Sequence, residues 1–191
     1  MGFEKNRRYF DASGAGRAAI SVHFHSMAFP TQTWPSSNGR FLISTDAARL
    51  DFAVVHEYLA NRSYWVPGIA REKVERAAAH SLCFGVYEAT SSQQIGYARV
   101  VTDYTLFAYL CDVFILEGFR GFGLGKWLVQ TVLAHPDIPN PRRWLLATKD
   151  AHGLYAQNGF VELPEPTRWM VKMVQSPSHA APNLTGLAPS A

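Results

Sequence analysis

At 191 residues, 48% hydrophobic and 13% aromatic, the chain has material for one well-filled domain and is too apolar for global disorder. A formal charge of only +3, with no Lys/Arg run longer than two (Arg7-Arg8, Arg142-Arg143), argues against nucleic acid as a partner, and no run of about 18 apolar residues offers a membrane span. Cys83 and Cys111 are too few for a disulfide framework or a metal site; both fall in apolar runs and read as buried, reduced thiols of a cytoplasmic protein.

Residues 1–38 are rich in Gly, Ser, Ala and Pro and carry no hydrophobic period, and His23 and His25 lack further ligands for a metal. That stretch reads as a disordered extension, with translation from Met27 as an alternative. The apolar pattern begins with a strand at 40–44. Asp51 then caps a helix reaching residue 61, with Val54, Val55, Tyr58 and Leu59 on one face. A loop over 63–68 carries Tyr64 and Trp65, and a second helix over 71–81 turns Val74, Ala77 and Ala78 inward. Strands follow at 82–87, 95–101 and 105–116, separated by turn residues at 90–93 and 102–104. A glycine-rich turn leads into a helix over 123–134 that Pro136 stops. A strand at 143–148, a short helix at 151–158 and strands at 160–163 and 169–174 complete the pattern. From residue 176 the chain is a Pro/Ala/Ser tail without periodicity, read as disordered, which leaves 39–175 as the domain. A meander, a crossover helix and further strands make an α+β fold: a mixed, mostly antiparallel central sheet of six to seven strands with helices on both faces.

The stretch from Asp112 to Lys126 carries the chemistry. An apolar strand end breaks at Glu117-Gly118-Phe119 and continues as Arg120-Gly121-Phe122-Gly123-Leu124-Gly125-Lys126 into a helix. A strand, a glycine turn and a helix start aim several backbone N–H groups at one point, where the helix dipole adds positive charge and a phosphate fits. Arg120 and Lys126 place side-chain charge at the two ends. A Walker A loop fails, because Arg120 stands where its first glycine belongs and Trp127 where its Ser or Thr belongs. A dinucleotide fingerprint fails because the spacing is G-x-G-x-G.

Arg120, Gly123 and Gly125, read as R-x-x-G-x-G, resemble the coenzyme A loop of the GNAT superfamily of N-acetyltransferases. Leu154-Tyr155-Ala156-Gln157-Asn158-Gly159-Phe160 is similar to the family's L-Y-x-x-x-G-F segment, and a strand-like run at 144–148 lies between the two. The resemblance spans roughly 41–173. It implies acetyl-CoA as co-substrate, bound by the backbone of Val113, Phe114 and Ile115 and by the loop of Arg120, Gly121, Phe122, Gly123, Leu124, Gly125 and Lys126. It also implies a sheet splayed between the strand before the loop and the strand after the crossover helix. Tyr155 falls on the tyrosine that protonates the departing thiolate. Dimers are frequent in the family, which leaves a homodimer open.

An alkyl amine is only about one part in a thousand neutral at pH 7, so the reaction asks for a base or a desolvating pocket. Asp112, an acid inside an apolar strand, is the first choice, against a structural carboxylate paired with Arg99 or Lys149. Glu57, Asp103 and His80 are weaker options, and Asp150 and His152 are read as caps of the tyrosine helix. Tyr64, Trp65 and Tyr109 are placed as walls of the acceptor pocket, with ordinary packing as the alternative for at least one. The acceptor is expected to be a small-molecule amine. The competing function is a coenzyme A binding or sensing module without turnover.

Overall fold

The computed structural model describes residues 31–172. Its six strands run in chain order across one sheet: β1 (Thr33–Pro35), β2 (Phe41–Ser44), β3 (Leu82–Glu88), β4 (Gln94–Thr102), β5 (Phe107–Ile115) and β6 (Arg143–Leu145). Neighbours are antiparallel except β5 and β6, which are parallel. The helices are α1 (Phe52–Asn61), α2 (Arg71–Ala79), α3 (Leu124–Leu133) and α4 (His152–Ala156). The α+β architecture expected from the sequence is therefore present.

Helices cover both faces. On one, Val55, Tyr58 and Leu59 of α1 and Val74 of α2 pack with Cys83, Tyr97 and Phe114 of the sheet. On the other, Leu124, Leu128, Val129 and Val132 of α3 meet Phe84, Val86, Val100 and Leu110. A fully buried side chain such as Leu128 contributes about 1.5–3 kcal/mol. The Asp51 carboxylate caps α1 as its sequence predicts, accepting from the N–H groups of Ala53 and Val54.

Two features position the site. Between Tyr97/Arg99 on β4 and Phe114/Cys111 on β5 the register slips by one residue, so Ala98 stands opposite both Asp112 and Val113. The bulge reverses the alternation of β5: Ala108 and Leu110 face α3, whereas Phe114 faces α1. The second feature is the divergence of β5 and β6. They pair only from Phe107↔Arg143 to Tyr109↔Leu145, after which β5 runs on to Ile115 without a partner on that side. The strand expected over 143–148 thus stops at Leu145.

Three expectations about the ends change. β1 lies inside the stretch expected to be an extension, and its Trp34 packs on Phe84 and His135 at centroid distances of 6.1 and 5.7 Å, so the sheet begins before residue 39. The strands expected at 160–163 and 169–174 do not form over the described residues. A three-residue β6 offers little ladder to pair with, Pro164 and Pro166 withdraw donors, and Val161, Met170 and Val171 stay 80–97% exposed. Residues 1–30 and 173–191, which hold most of the expected extension and the expected tail, lie outside the described residues.

Candidate active site

β5 delivers the chain to the glycine-rich turn. A 3-10 turn, Glu117–Phe119, reverses it, Gly121 sits at φ +86, and Gly123 at φ +75 caps α3. Side-chain-bearing residues rarely hold such angles. A Cβ at Gly121 or Gly123 would meet nothing within 4 Å, so conformation and open space, rather than crowding, account for the glycines. No backbone N–H from residue 121 to 126 finds an acceptor among the described residues. Six orphan donors at the positive end of a helix, with open space beside them, form a cradle for a phosphate or diphosphate.

The two flanking cations behave differently. Lys126 is exposed on the cleft wall with no partner among the described residues. Arg120 folds back instead: its Nε donates to the Ile115 carbonyl at 3.2 Å, and its Nη2 donates to the Tyr58 hydroxyl at 3.0 Å and to Glu117 at 3.2 Å. It braces the turn while still lining the cleft, so its charge at this end of the loop is shared with Glu117.

The turn opens onto a cleft of about 790 Å³. The cleft is lined by Val113, Phe114 and Ile115 of β5, by Gly121, Gly123, Leu124, Gly125 and Lys126 of the turn and α3, and by Leu154 and Tyr155 of α4. Of the expected cofactor contacts only Phe122 is elsewhere, its exposed ring tilted against Phe41 at 5.9 Å.

Tyr155 is 9% exposed, and its hydroxyl has no partner among the described residues. Burial, then the neighbouring Tyr64 and Asp150, push its phenol up to about 12. Tyr64 and Trp65 also line the cleft. Their loop straps the diverging strands: the Trp65 indole N–H donates to Asp112 on β5 at 3.1 Å, and the Tyr64 hydroxyl accepts from the Lys149 N–H beyond β6 at 2.7 Å. Tyr109 does not line the cleft; it lies where β5 still pairs with Val101 and Leu145.

Asp112 occupies the bulge at φ +55, a conformation that Asp tolerates better than most residues. It is an acid inside an apolar strand, as the sequence indicates, but it is not left unpaired there. Arg99 donates to its Oδ2 at 2.7 Å, and Trp65 takes its Oδ1. Its carboxylate is not part of the cleft wall. Arg99, rather than Lys149, is the partner anticipated by the structural alternative. Asp150 and His152 do not cap α4, because the cap residue Ala151 receives no side-chain bond and donates its own N–H to Thr148 Oγ1 at 3.1 Å.

Tyr58, Arg62 and Glu117 are cleft residues that sequence reasoning passed over. The Tyr58 ring stacks on Phe114 at 3.9 Å and 9°. Arg62 bridges Glu57 and Glu117, which with the Arg120 contacts joins the end of α1 to the glycine turn. Only the apolar face of α1 hinted at Tyr58, and nothing local marks Arg62. Burial pushes the Cys111 thiol up to about 12, and Cys111 stands off the cleft, so it is not an activated nucleophile. Among the described residues no cluster of three or more His, Cys, Asp or Glu could hold a metal, and no helix is long and apolar enough to cross a membrane.

Comparison with known proteins gives three kinds of likeness. A family model described as "Acetyltransferase (GNAT) domain" matches residues 79–162. A protein of Gibberella zeae described as "Putative acetyltransferase FG08082" is 32% identical over 145 residues, covering 66% of this chain and 81% of that protein. A crystal structure from Xanthomonas campestris pv. campestris, described as a "putative acetyltransferase belonging to the gnat family", superposes with a TM-score of 0.67 at 44% identity, over 70% of this chain and 93% of that one. At 17% identity and a TM-score of 0.53, over 76% of this chain and all of that one, the Staphylococcus aureus protein SA2161 shares the fold alone.

Proposed function

This chain belongs to the GNAT superfamily of acetyltransferases, and we propose that it moves an acetyl group from acetyl-CoA to a primary amine of a small molecule. The observation that carries the reading is the row of unpaired N–H groups from 121 to 126, opening onto a cleft that also holds a buried, unpartnered tyrosine. The cradle fits a diphosphate: its donors are free, a Cβ would fill open space beside it, and Lys126 adds charge. Bound there, acetyl-CoA supplies the activated thioester. The edge of β5 at Val113 and Phe114, left without a neighbouring strand where β5 and β6 diverge, suits an extended amide-bearing arm, while the Ile115 carbonyl is already held by Arg120.

The amine nitrogen attacks the thioester carbonyl, the new C–N bond replaces C–S, and the electron pair of the broken bond leaves on sulfur. Tyr155 Oη gives its proton to that sulfur and is later reprotonated from solvent. From an ammonium acceptor the net release is one proton. A phenol raised to about 12 stays protonated at neutral pH, as an acid must. No acyl-enzyme is needed. We assign Asp112 the holding of Trp65 and Arg99, since both of its oxygens are engaged and it stands off the cleft.

Titration calorimetry with acetyl-CoA, followed by thiol release with a panel of amines, tests this reading. Wild type should bind and turn over. Tyr155→Phe should bind acetyl-CoA as wild type does but release thiol at least about tenfold more slowly. Absence of binding heat removes the function; heat without turnover leaves a coenzyme A binding module; an unchanged rate in the variant removes Tyr155 from the mechanism.

A further inference from the structure

The carboxylates around the cleft are not equivalent. Two line it, Glu117 and Asp150. Glu117 is spent on Arg62 at 2.9 Å and Arg120 at 3.2 Å. Glu57 and Asp112, just outside, are spent on Arg62 and Arg99. Asp150 pairs with nothing among the described residues. Its one expected structural duty, capping α4, it does not perform, since α4 has no side-chain cap bond. Even the adjacent Lys149 leaves it free, with its ammonium 5.7 Å from the Tyr64 ring centroid. Asp150 therefore presents an unspent negative charge on the wall that carries Tyr155, close enough for its field to act on the phenol.

What such a charge is good for follows from the chemistry of the acceptor. A carboxylate beside an ammonium favours the protonated form, and a protonated nitrogen has no lone pair with which to attack. Asp150 would thus hinder a nitrogen that has to react and help one that does not. Resting on the acetyl-transfer reading above, we infer that Asp150 anchors a second, unreactive cationic group of the acceptor, so that the substrate is a small amine carrying two positive charges. One nitrogen stays protonated on Asp150 while the other meets the thioester near Tyr155. Tyr64 stands on the same cleft and assists: its hydroxyl oxygen accepts from the Lys149 N–H and keeps a second lone pair for an N–H of the anchored ammonium.

The test compares two acceptors of similar length, 1,5-diaminopentane and n-hexylamine, by thiol release from acetyl-CoA with the full chain. The wild type should show a KM at least about tenfold lower for the diamine, the scale of one charge-assisted hydrogen bond. Asp150→Asn should raise the diamine KM to that of the monoamine, change kcat by the same factor for both amines because the field of Asp150 also reaches the Tyr155 phenol, and melt at the same temperature. Asp150→Glu should recover much of the preference. The inference is overturned if Asp150→Asn keeps the diamine preference, or if it weakens acetyl-CoA binding in calorimetry as much as it raises the diamine KM, which would make Asp150 a cofactor contact. A wild-type protein that binds acetyl-CoA but spares both amines also overturns it. One that binds no acetyl-CoA overturns the acetyl transfer itself.

Discussion

Asp112 shows how one carboxylate can serve several elements at once. It sits at the bulge of β5, takes the Arg99 guanidinium from β4, and through Trp65 ties down the loop between α1 and α2. Both members of the ion pair are largely covered, with side chains 17% and 11% exposed. Removing one partner of such a pair strands the other charge, at a cost of about 3–5 kcal/mol. Asp112→Ala should therefore lower unfolding stability by at least about 3 kcal/mol in urea titrations. Asp112→Asn retains an oxygen for the indole N–H and a residue type that tolerates positive φ, so its loss should be smaller. The pair of variants also separates clamp from base: a clamp loses stability and turnover together, whereas a base loses turnover at full stability. Turnover abolished in a fully stable Asp112→Asn would return the proton-abstracting role to this residue.

The strand, glycine turn and helix from β5 to α3 form the element on which cofactor binding depends, and its glycines can be tested one against another. Gly123 at φ +75 has open space where a Cβ would go; Gly118, in the 3-10 turn, also has open space but an ordinary φ. Gly123→Ala should cost about 1 kcal/mol of stability through strain and lower acetyl-CoA affinity at least about tenfold by standing a methyl group over the donors. Gly118→Ala should leave both nearly unchanged in the same calorimetry. This element was legible in the sequence because its determinants are local: apolar run, glycine spacing and helix period lie within 25 residues of one another. What the sequence concealed is non-local. The Tyr58–Phe114 stack joins positions 56 apart, and Arg62 reaches Glu117 across 55. β1 spans three residues, too short to show alternation. The runs at 160–163 and 169–174 are apolar enough to read as strands, but composition alone supplies no neighbour to pair with. For Asp112 the sequence named Arg99 as a possible partner but could not choose between that pair and a free base, because Arg99 lies one strand away.

At the scale of the whole molecule, the sheet separates two packed layers, and acid should reach the α3 layer first, through His135. That residue follows α3 and is 2% exposed, its ring set edge-on against Trp34 of β1 and Phe84 of β3. Its Nδ1 accepts from the Asp137 N–H at 3.2 Å, while its Nε2 has no partner among the described residues. Burial holds its pKa below 6.5, with the nearby Asp137 carboxylate pulling the other way. The sign follows: the fold favours the neutral ring, whereas the unfolded chain takes up a proton near 6.5. The stability this burial contributes is therefore whole above pH 6.5 and drains away as pH falls towards the folded pKa, at no more than about 1.4 kcal/mol per pH unit for one group. Thermal melting should accordingly drop between pH 7.5 and 5.5, a window above the usual range of the carboxylates. His135→Phe keeps a ring between Trp34 and Phe84 but cannot take up a proton, so whatever its absolute stability, most of that drop should vanish. Because β1 leans on the same ring, its amide protons should lose protection from exchange before those of β3 and β4 as the pH is lowered. A His135→Phe protein that melts with the wild-type pH dependence would show that another group titrates there, and that charging this ring is not what loosens the layer.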